Sequence, residues 1–242
     1  MDFIIRLADT NIGINSIYDE IHDLCREYLT DSEADISVSI SQEDIAREHD
    51  YNLYEAELEG IPAFDYADPY LETLAVYRKI AVQLLDRDIF LMHGAVIAVG
   101  EKAWLFTAPS GTGKTTHINL WLENIQGSFV VNGDKPLIHA GDEFTVYGTP
   151  WAGKEGMQKN TSAKLCGIVI LERGAENSIK QVPFKEVLPV LIQQCYRPED
   201  TVQLVKALEL IRKLGSSLPL YRLECNMLPD AALTAYNALN GG

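Results

Sequence analysis

Residues 108–115, Ala108-Pro109-Ser110-Gly111-Thr112-Gly113-Lys114-Thr115, have the residue types and spacing of a Walker A loop, with alanine in place of the first glycine. The chemistry this predicts is the binding of a nucleotide's phosphates. Small residues at Gly111 and Gly113 let backbone N–H groups come close to phosphate oxygens, and a helix leaving the loop aims its positive end at the same anion. The expected cofactors are ATP and Mg2+. Ser110, Gly111, Thr112 and Gly113 cradle the phosphates, Lys114 bridges the β- and γ-phosphates, Thr115 offers its hydroxyl to magnesium, and Thr116 supports the adjacent phosphates. The competing reading is a chance glycine-rich turn ahead of a helix.

Twenty residues after Lys114, the run Phe129-Val130-Val131-Asn132-Gly133-Asp134 ends on a carboxylate. Near a γ-phosphate, Asp134 would hold magnesium, directly or through water, or take the proton of an acceptor hydroxyl. Its plainer alternative is a solvated turn aspartate, because Asn-Gly-Asp is also turn chemistry. His93 stands in the apolar run Leu91-Met92-His93-Gly94-Ala95, where a lone histidine is ordinarily a satisfied core residue. A turn-rich stretch, Gly148-Thr149-Pro150-Trp151-Ala152-Gly153-Lys154-Glu155-Gly156, carries Lys154, which is placed to steady a transferring phosphoryl group or an anionic acceptor, or else is part of a solvated loop. Arg173 follows the apolar run 167–171 and either reaches a phosphate or forms a salt bridge with Glu172 or Glu176.

These residues need elements to bring them together. An apolar strand over 103–107 runs into the loop and a helical pattern over 114–123 leaves it, the strand-loop-helix order that phosphate binding requires. A second apolar run, 89–99, precedes that strand across a Gly100-Glu101-Lys102 turn and carries His93. Short strands are expected at 129–131, 137–139 and 144–147, and a strong one at 165–171. Helices follow at 184–194 and 199–214, then a strand at 220–223 and a last helix from 229. Ahead of all this, residues 1–65 read as a small α+β lobe: a strand at 3–7, an amphipathic helix at 14–28, a strand at 36–40, and a helix start at Ser41 with Asp44 three residues on. A turn-rich passage from Gly60 to Pro69 marks the boundary, leaving 66–242 as the nucleotide-binding domain, introduced by a core-facing helix at 70–86.

Length and composition narrow the classes. A chain of 242 residues buries a core without staples, and its four cysteines, Cys25, Cys166, Cys195 and Cys225, form no Cys-x-x-Cys pair of a zinc ribbon or redox dithiol. The formal charge of −15 argues against nucleic acid as a partner, and it also repels free ATP, so nucleotide binding must rest on locally concentrated N–H groups, lysine and magnesium. No apolar run reaches the roughly 20 residues of a membrane span, and the start, Met1-Asp2-Phe3-Ile4-Ile5-Arg6, lacks a secretory pattern, so a cytoplasmic protein with no membrane partner is expected.

Taken in order, His93-Gly94-Ala95, the loop 108–116 and Gly133-Asp134 resemble the HPr kinase/phosphorylase family and, more distantly, ATP-dependent phosphoenolpyruvate carboxykinase, whose loop Ser110 to Thr116 is close to. The resemblance covers roughly residues 86–175. It implies an α/β (α+β) fold in which a mixed β-sheet P-loop domain of HPr kinase/carboxykinase type follows the small N-terminal lobe, in a bacterial kinase. His93 then resembles the family's active-site histidine and Asp134 the second of its paired aspartates, while Gly133 occupies the place of the first. The family's acceptor-binding signature is not evident. The expected activity is transfer of the γ-phosphoryl group of ATP to a hydroxyl acceptor on a peptide, protein or small molecule. The alternatives are an ATP-binding regulatory module without turnover, suggested by Gly133, and a carboxykinase-like lyase, which the scarcity of arginine disfavours.

Overall fold

The computed structural model describes residues 1–60, 62–109 and 111–241, which form two compact units, Met1–Leu84 and Leu85–Gly242. In the first, β1 (Asp2–Leu7) and β2 (Thr10–Asn15) make an antiparallel hairpin, and β3 (Ile36–Ser39) lies parallel to β2. The amphipathic helix expected at 14–28 is not formed. Ile12 and Ile14 alternate on the buried face of β2, and only the short α1 (Glu20–Leu24) with a 3-10 turn at Arg26–Tyr28 follows. The hairpin turns at Ala8 and Asp9, both at positive φ (46° and 59°), the mirror-image geometry that suits a two-residue connection.

Helix α2 (Gln42–Glu59) opens with the expected capping box: the Ser41 hydroxyl accepts from the Asp44 N–H while the Asp44 carboxylate accepts from the Ser41 N–H. Helix α3 (Asp68–Leu84) is fastened by two ions. The fully buried Glu72 carboxylate accepts the N–H groups of Ile17 (2.6 Å) and Tyr18 (2.9 Å), and Lys79 Nζ donates to Asp44 (2.6 Å) and to the Ser39 carbonyl.

The second unit is built on a nine-stranded mixed sheet. Its strands are β4 (Ile89–Leu91), β5 (Ala95–Val99), β6 (Lys102–Thr107), β7 (Ser128–Asn132), β8 (Leu137–Ala140), β9 (Phe144–Tyr147), β10 (Ser162–Arg173), β11 (Ser178–Gln181) and β12 (Leu220–Cys225). The order is β4-β8-β9-β10-β6-β5-β7, with β12 on β10 and β11 on β12. β10 is the spine: its start pairs antiparallel with β9, its end parallel with β12, and its length parallel with β6.

Successive residues of β6 feed opposite cores, as a strand's period of two demands. Trp104 and Phe106 pack under α4 (Lys114–Asn124) and α7 (Asp230–Asn240), whereas Leu105 packs under α5 (Phe184–Gln194) and α6 (Thr201–Ser217). Helices therefore cover both faces, and β6 delivers the loop from the interior of the sheet. Among the described residues no helix is long and apolar enough to cross a membrane.

Candidate active site

The loop leaves β6 at the fully buried Ala108, and α4 begins at Lys114 with Gly113 as its N-cap. Gly111 and Gly113 sit at φ 73° and 118°, conformations that a Cβ would strain, so these two glycines let the chain curl over the end of the strand. Lys114 Nζ donates to the Ala108 carbonyl at 2.9 Å, and Thr112 Oγ1 to the Pro109 carbonyl at 2.8 Å. Burial pulls the Lys114 pKa down while the Asp134 charge opposes it. Ser110 lies outside the described residues. Thr116 is half-buried in the first turn of α4.

Asp134 follows β7 in a turn pinned from inside by Asn132, which is fully buried. Asn132 Oδ1 accepts the N–H groups of Asp134 (2.9 Å) and Lys135 (2.7 Å), while its Nδ2 donates to the carbonyl and hydroxyl of the buried Thr149, each at 3.0 Å. Both ends of the Asn132 amide are thus engaged, which fixes where Asp134 points. Gly133 donates its N–H to the Met157 carbonyl at 2.9 Å, and a Cβ there would stand 3.2 Å from the carbonyl oxygens of Ala152 and Met157. A side chain at 133 would need those two carbonyls to give way by a few tenths of an ångström.

His93 sits where the apolar run 89–99 breaks into two strands with different partners, β4 on β8 and β5 between β6 and β7. The break is held by three hydrogen bonds: His93 N–H to the Gln194 carbonyl (2.7 Å), Thr107 Oγ1 to the His93 carbonyl (2.7 Å), and Gly94 N–H to the Asp134 carbonyl (2.8 Å). His93 is no core residue; its Nε2 lies 3.0 Å from Asp134 Oδ1, with 37% and 25% of the two side chains exposed. Burial pushes the Asp134 carboxyl up, but the His93 hydrogen bond and the charges of Lys135, His93 and Lys114 outweigh it and hold the group below its usual range.

One pocket of about 400 Å³ joins these parts: Gly111, Gly113, Lys114 and Thr115 from the loop, His93 and Asp134 from the two strand ends, and Lys154 and Glu155 from the exposed loop after Trp151. A cation, a hydroxyl and an ionised carboxylate with an imidazole against it share that space. Arg173, the last residue of β10, meets the loop without lining that pocket. The expected salt bridge to Glu172 is not formed, because Glu172 pairs with Arg222; Arg173 Nε donates to the Thr112 carbonyl at 3.3 Å and its Nη2 to the Gly111 carbonyl.

The sequence reading missed Asn132 and Thr149 as the pins of the Asp134 turn; the Asn-Gly-Asp triplet was the available signal. Ile118 is a further lining residue that no motif singled out, while Glu155 lines the pocket from within the expected loop 148–156.

No family model and no curated protein matches the sequence. Among solved structures, the Hpr(Ser) kinase/phosphatase from Coxiella burnetii is similar over 50% of this chain and 88% of its own, with 11% identity and a TM-score of 0.28. A likeness of that size decides nothing about this chain, and the functional reading stands on the geometry.

Proposed function

We propose that the chain binds ATP at residues 108–116 and transfers its terminal phosphoryl group to a hydroxyl of the serine type on a peptide, protein or small molecule, using a P-loop domain of HPr kinase/carboxykinase type. The observation that carries this reading is the single pocket in which Gly111, Gly113, Lys114 and Thr115 face His93 and Asp134. Backbone N–H groups of the loop take the phosphates, Gly111 and Gly113 among them, and Lys114 exchanges the Ala108 carbonyl for the β- and γ-phosphate oxygens. Thr115 and Asp134 offer two oxygen ligands in that pocket, and no group of three or more His, Cys, Asp or Glu side chains forms a metal site among the described residues. Magnesium would therefore take its remaining ligands from phosphate and water, neutralising phosphate charge there.

In the transfer, the acceptor oxygen bonds to the γ-phosphorus, the bond to the β,γ-bridging oxygen breaks, ADP leaves, and the hydroxyl proton passes to Asp134 where its free oxygen faces the acceptor, or to solvent where that oxygen holds the metal. A carboxylate of lowered pKa is a weak base, which suffices because a loose phosphoryl transition state asks little proton removal in advance. His93 holds Oδ1 and leaves Oδ2 for the hydroxyl or the metal. Lys154 is at hand for the transferring group or an anionic acceptor.

Gly133 favours a second reading, a nucleotide-binding regulatory module without turnover, since it leaves Asp134 without a second aspartate beside it in the turn. Incubation with γ-labelled ATP, magnesium and cell extract, followed by mass spectrometry of labelled species, separates the two. Label on a hydroxyl, lost in Lys114→Ala, is the expected result. ATP binding with no ADP formed over hours would favour the regulatory module, and free phosphate alone would replace transfer with hydrolysis.

A further inference from the structure

Arg173 makes contacts that the proposed reaction does not use. β10 runs parallel to β6 with Ile170 opposite Thr107, so a residue three positions further along β10 lies beside the loop that leaves β6. There the guanidinium reaches two consecutive carbonyls, its Nε to Thr112 and its Nη2 to Gly111. Arg173 is not among the residues lining the pocket, whereas Gly111 and Gly113 are. The rigid fork of donors is suited to holding two acceptors at once.

Peptide planarity gives this contact a consequence on the far side of the loop. In a trans peptide the C=O of one residue and the N–H of the next point in opposite directions, and the chain has no cis peptide among its described residues. A Gly111 carbonyl drawn toward Arg173 turns the Thr112 N–H away from it, and a Thr112 carbonyl drawn the same way turns the Gly113 N–H away. The Thr112 N–H meets the Pro109 carbonyl at 3.3 Å, so the orientation of Gly113 is the one that bears on a ligand. The Gly111–Thr112 peptide is held within the loop by that bond, whereas the Thr112–Gly113 peptide ends on a glycine at positive φ, and its flip would put a carbonyl oxygen where a phosphate oxygen must go.

We infer that Arg173 is the positioning residue of the phosphate loop: from outside the pocket it holds the carbonyls of Gly111 and Thr112 outward and so keeps the Gly113 N–H turned toward the phosphates, without touching the nucleotide. This rests on the nucleotide reading of the pocket. The clamp acts on the cradle shared by ADP and ATP, so its loss weakens both alike, whereas a side chain touching the γ-phosphate would matter mainly for ATP.

The test is titration calorimetry of MgADP and MgATP against the full chain and its Arg173→Ala and Arg173→Lys variants, with thermal unfolding of each to confirm the fold. Arg173→Ala is expected to weaken both nucleotides by the same factor, about tenfold, the scale of a hydrogen bond from a charged donor. Arg173→Lys keeps the charge but not the fork and is expected to recover part of that loss. A loss several times larger for ATP than for ADP, or no loss for either in a chain that binds both, would overturn the clamp and leave the nucleotide site standing. No binding by the unsubstituted chain would overturn both. If Arg173→Ala fails to fold, Arg173→Lys decides: affinity equal to the unsubstituted chain for both nucleotides overturns the clamp, and an equal loss for both supports it.

Discussion

Residues 1–84 carry 19 acidic and 5 basic side chains, a formal charge of −14, while residues 85–242 carry 16 and 15, a formal charge of −1. The whole-chain charge of −15 had set nucleotide binding against a repulsive field, yet the unit that contains the pocket is itself close to neutral. The charge is thus divided unequally along the chain, nearly all of it falling in residues 1–84. The units also settle their buried ions differently. The first anchors α3 through Glu72 and Asp44, each fully engaged. In the second, two buried neutral side chains, Asn132 and Thr149, aim one carboxylate.

That contrast can be broken unit by unit, since Trp104, Trp121 and Trp151 all lie in the second unit and their fluorescence reports it alone, while hydrogen exchange of peptides from 1–84 reports the first. The largest effect is expected from Phe106→Ala. Phe106 is wholly buried, with the rings of His117 and Trp121 at 5.0 and 5.4 Å, so its truncation should cost about 3–5 kcal/mol in the tryptophan transition and leave exchange in 1–84 unchanged.

Acid should come next. His117 Nε2 accepts the Trp121 indole N–H at 2.9 Å, and burial pushes its pKa from 6.5 down to about 4. Between those values the unfolded chain binds the proton and the folded chain does not. Its contribution is therefore complete above about pH 6.5 and is lost as the pH falls toward 4, by roughly 3 kcal/mol. The tryptophan-monitored stability should show this slope, and His117→Gln should flatten it; an equal slope in both proteins would contradict the assignment.

In the first unit, Lys79→Met strips the closer of two cationic partners from Asp44, which is only 7% exposed, leaving Arg47 at 3.7 Å, and should speed exchange in 1–84 by an amount worth about 1–3 kcal/mol with the tryptophan curve unmoved. Burial raises the Asp44 carboxyl, but the hydrogen bonds from Lys79 and Ser41 outweigh it and hold the group below 3.8. Its contribution is thus present above the ordinary carboxylate range and lost in stronger acid. The smallest effect is screening: raising sodium chloride from about 0.1 to 0.5 M should stabilise 1–84 by up to about 1 kcal/mol and barely move the second unit. Equal shifts in both would show that the charge asymmetry has no energetic weight.

What the sequence made legible follows from locality. The capping box at Ser41 and Asp44 and the strand-loop-helix at 103–124 are written in neighbouring residues and appear as expected. β2 was lost because its hairpin turns on Ala8 and Asp9 rather than on an Asn-Gly pair, so Ile14 was read into a helix. β11 carries a single apolar residue, Ile179, on an otherwise exposed strand, too little for a period. At the site, the loop and Asp134 were visible in sequence, but the His93–Asp134 contact depends on a strand break whose cause is non-local, the competing partners β8 and β6. The attachment of Arg173 to loop carbonyls spans about sixty residues and leaves no trace in any motif.

Titration of MgATP into the full chain and into Lys114→Ala tests the central claim most directly. The pocket predicts one nucleotide per chain and a loss of at least about a hundredfold in affinity when the lysine is removed, with the tryptophan transition preserved, since Lys114 bridges the phosphates in this reading. Equal affinity in the two proteins, or no binding in either, would contradict it.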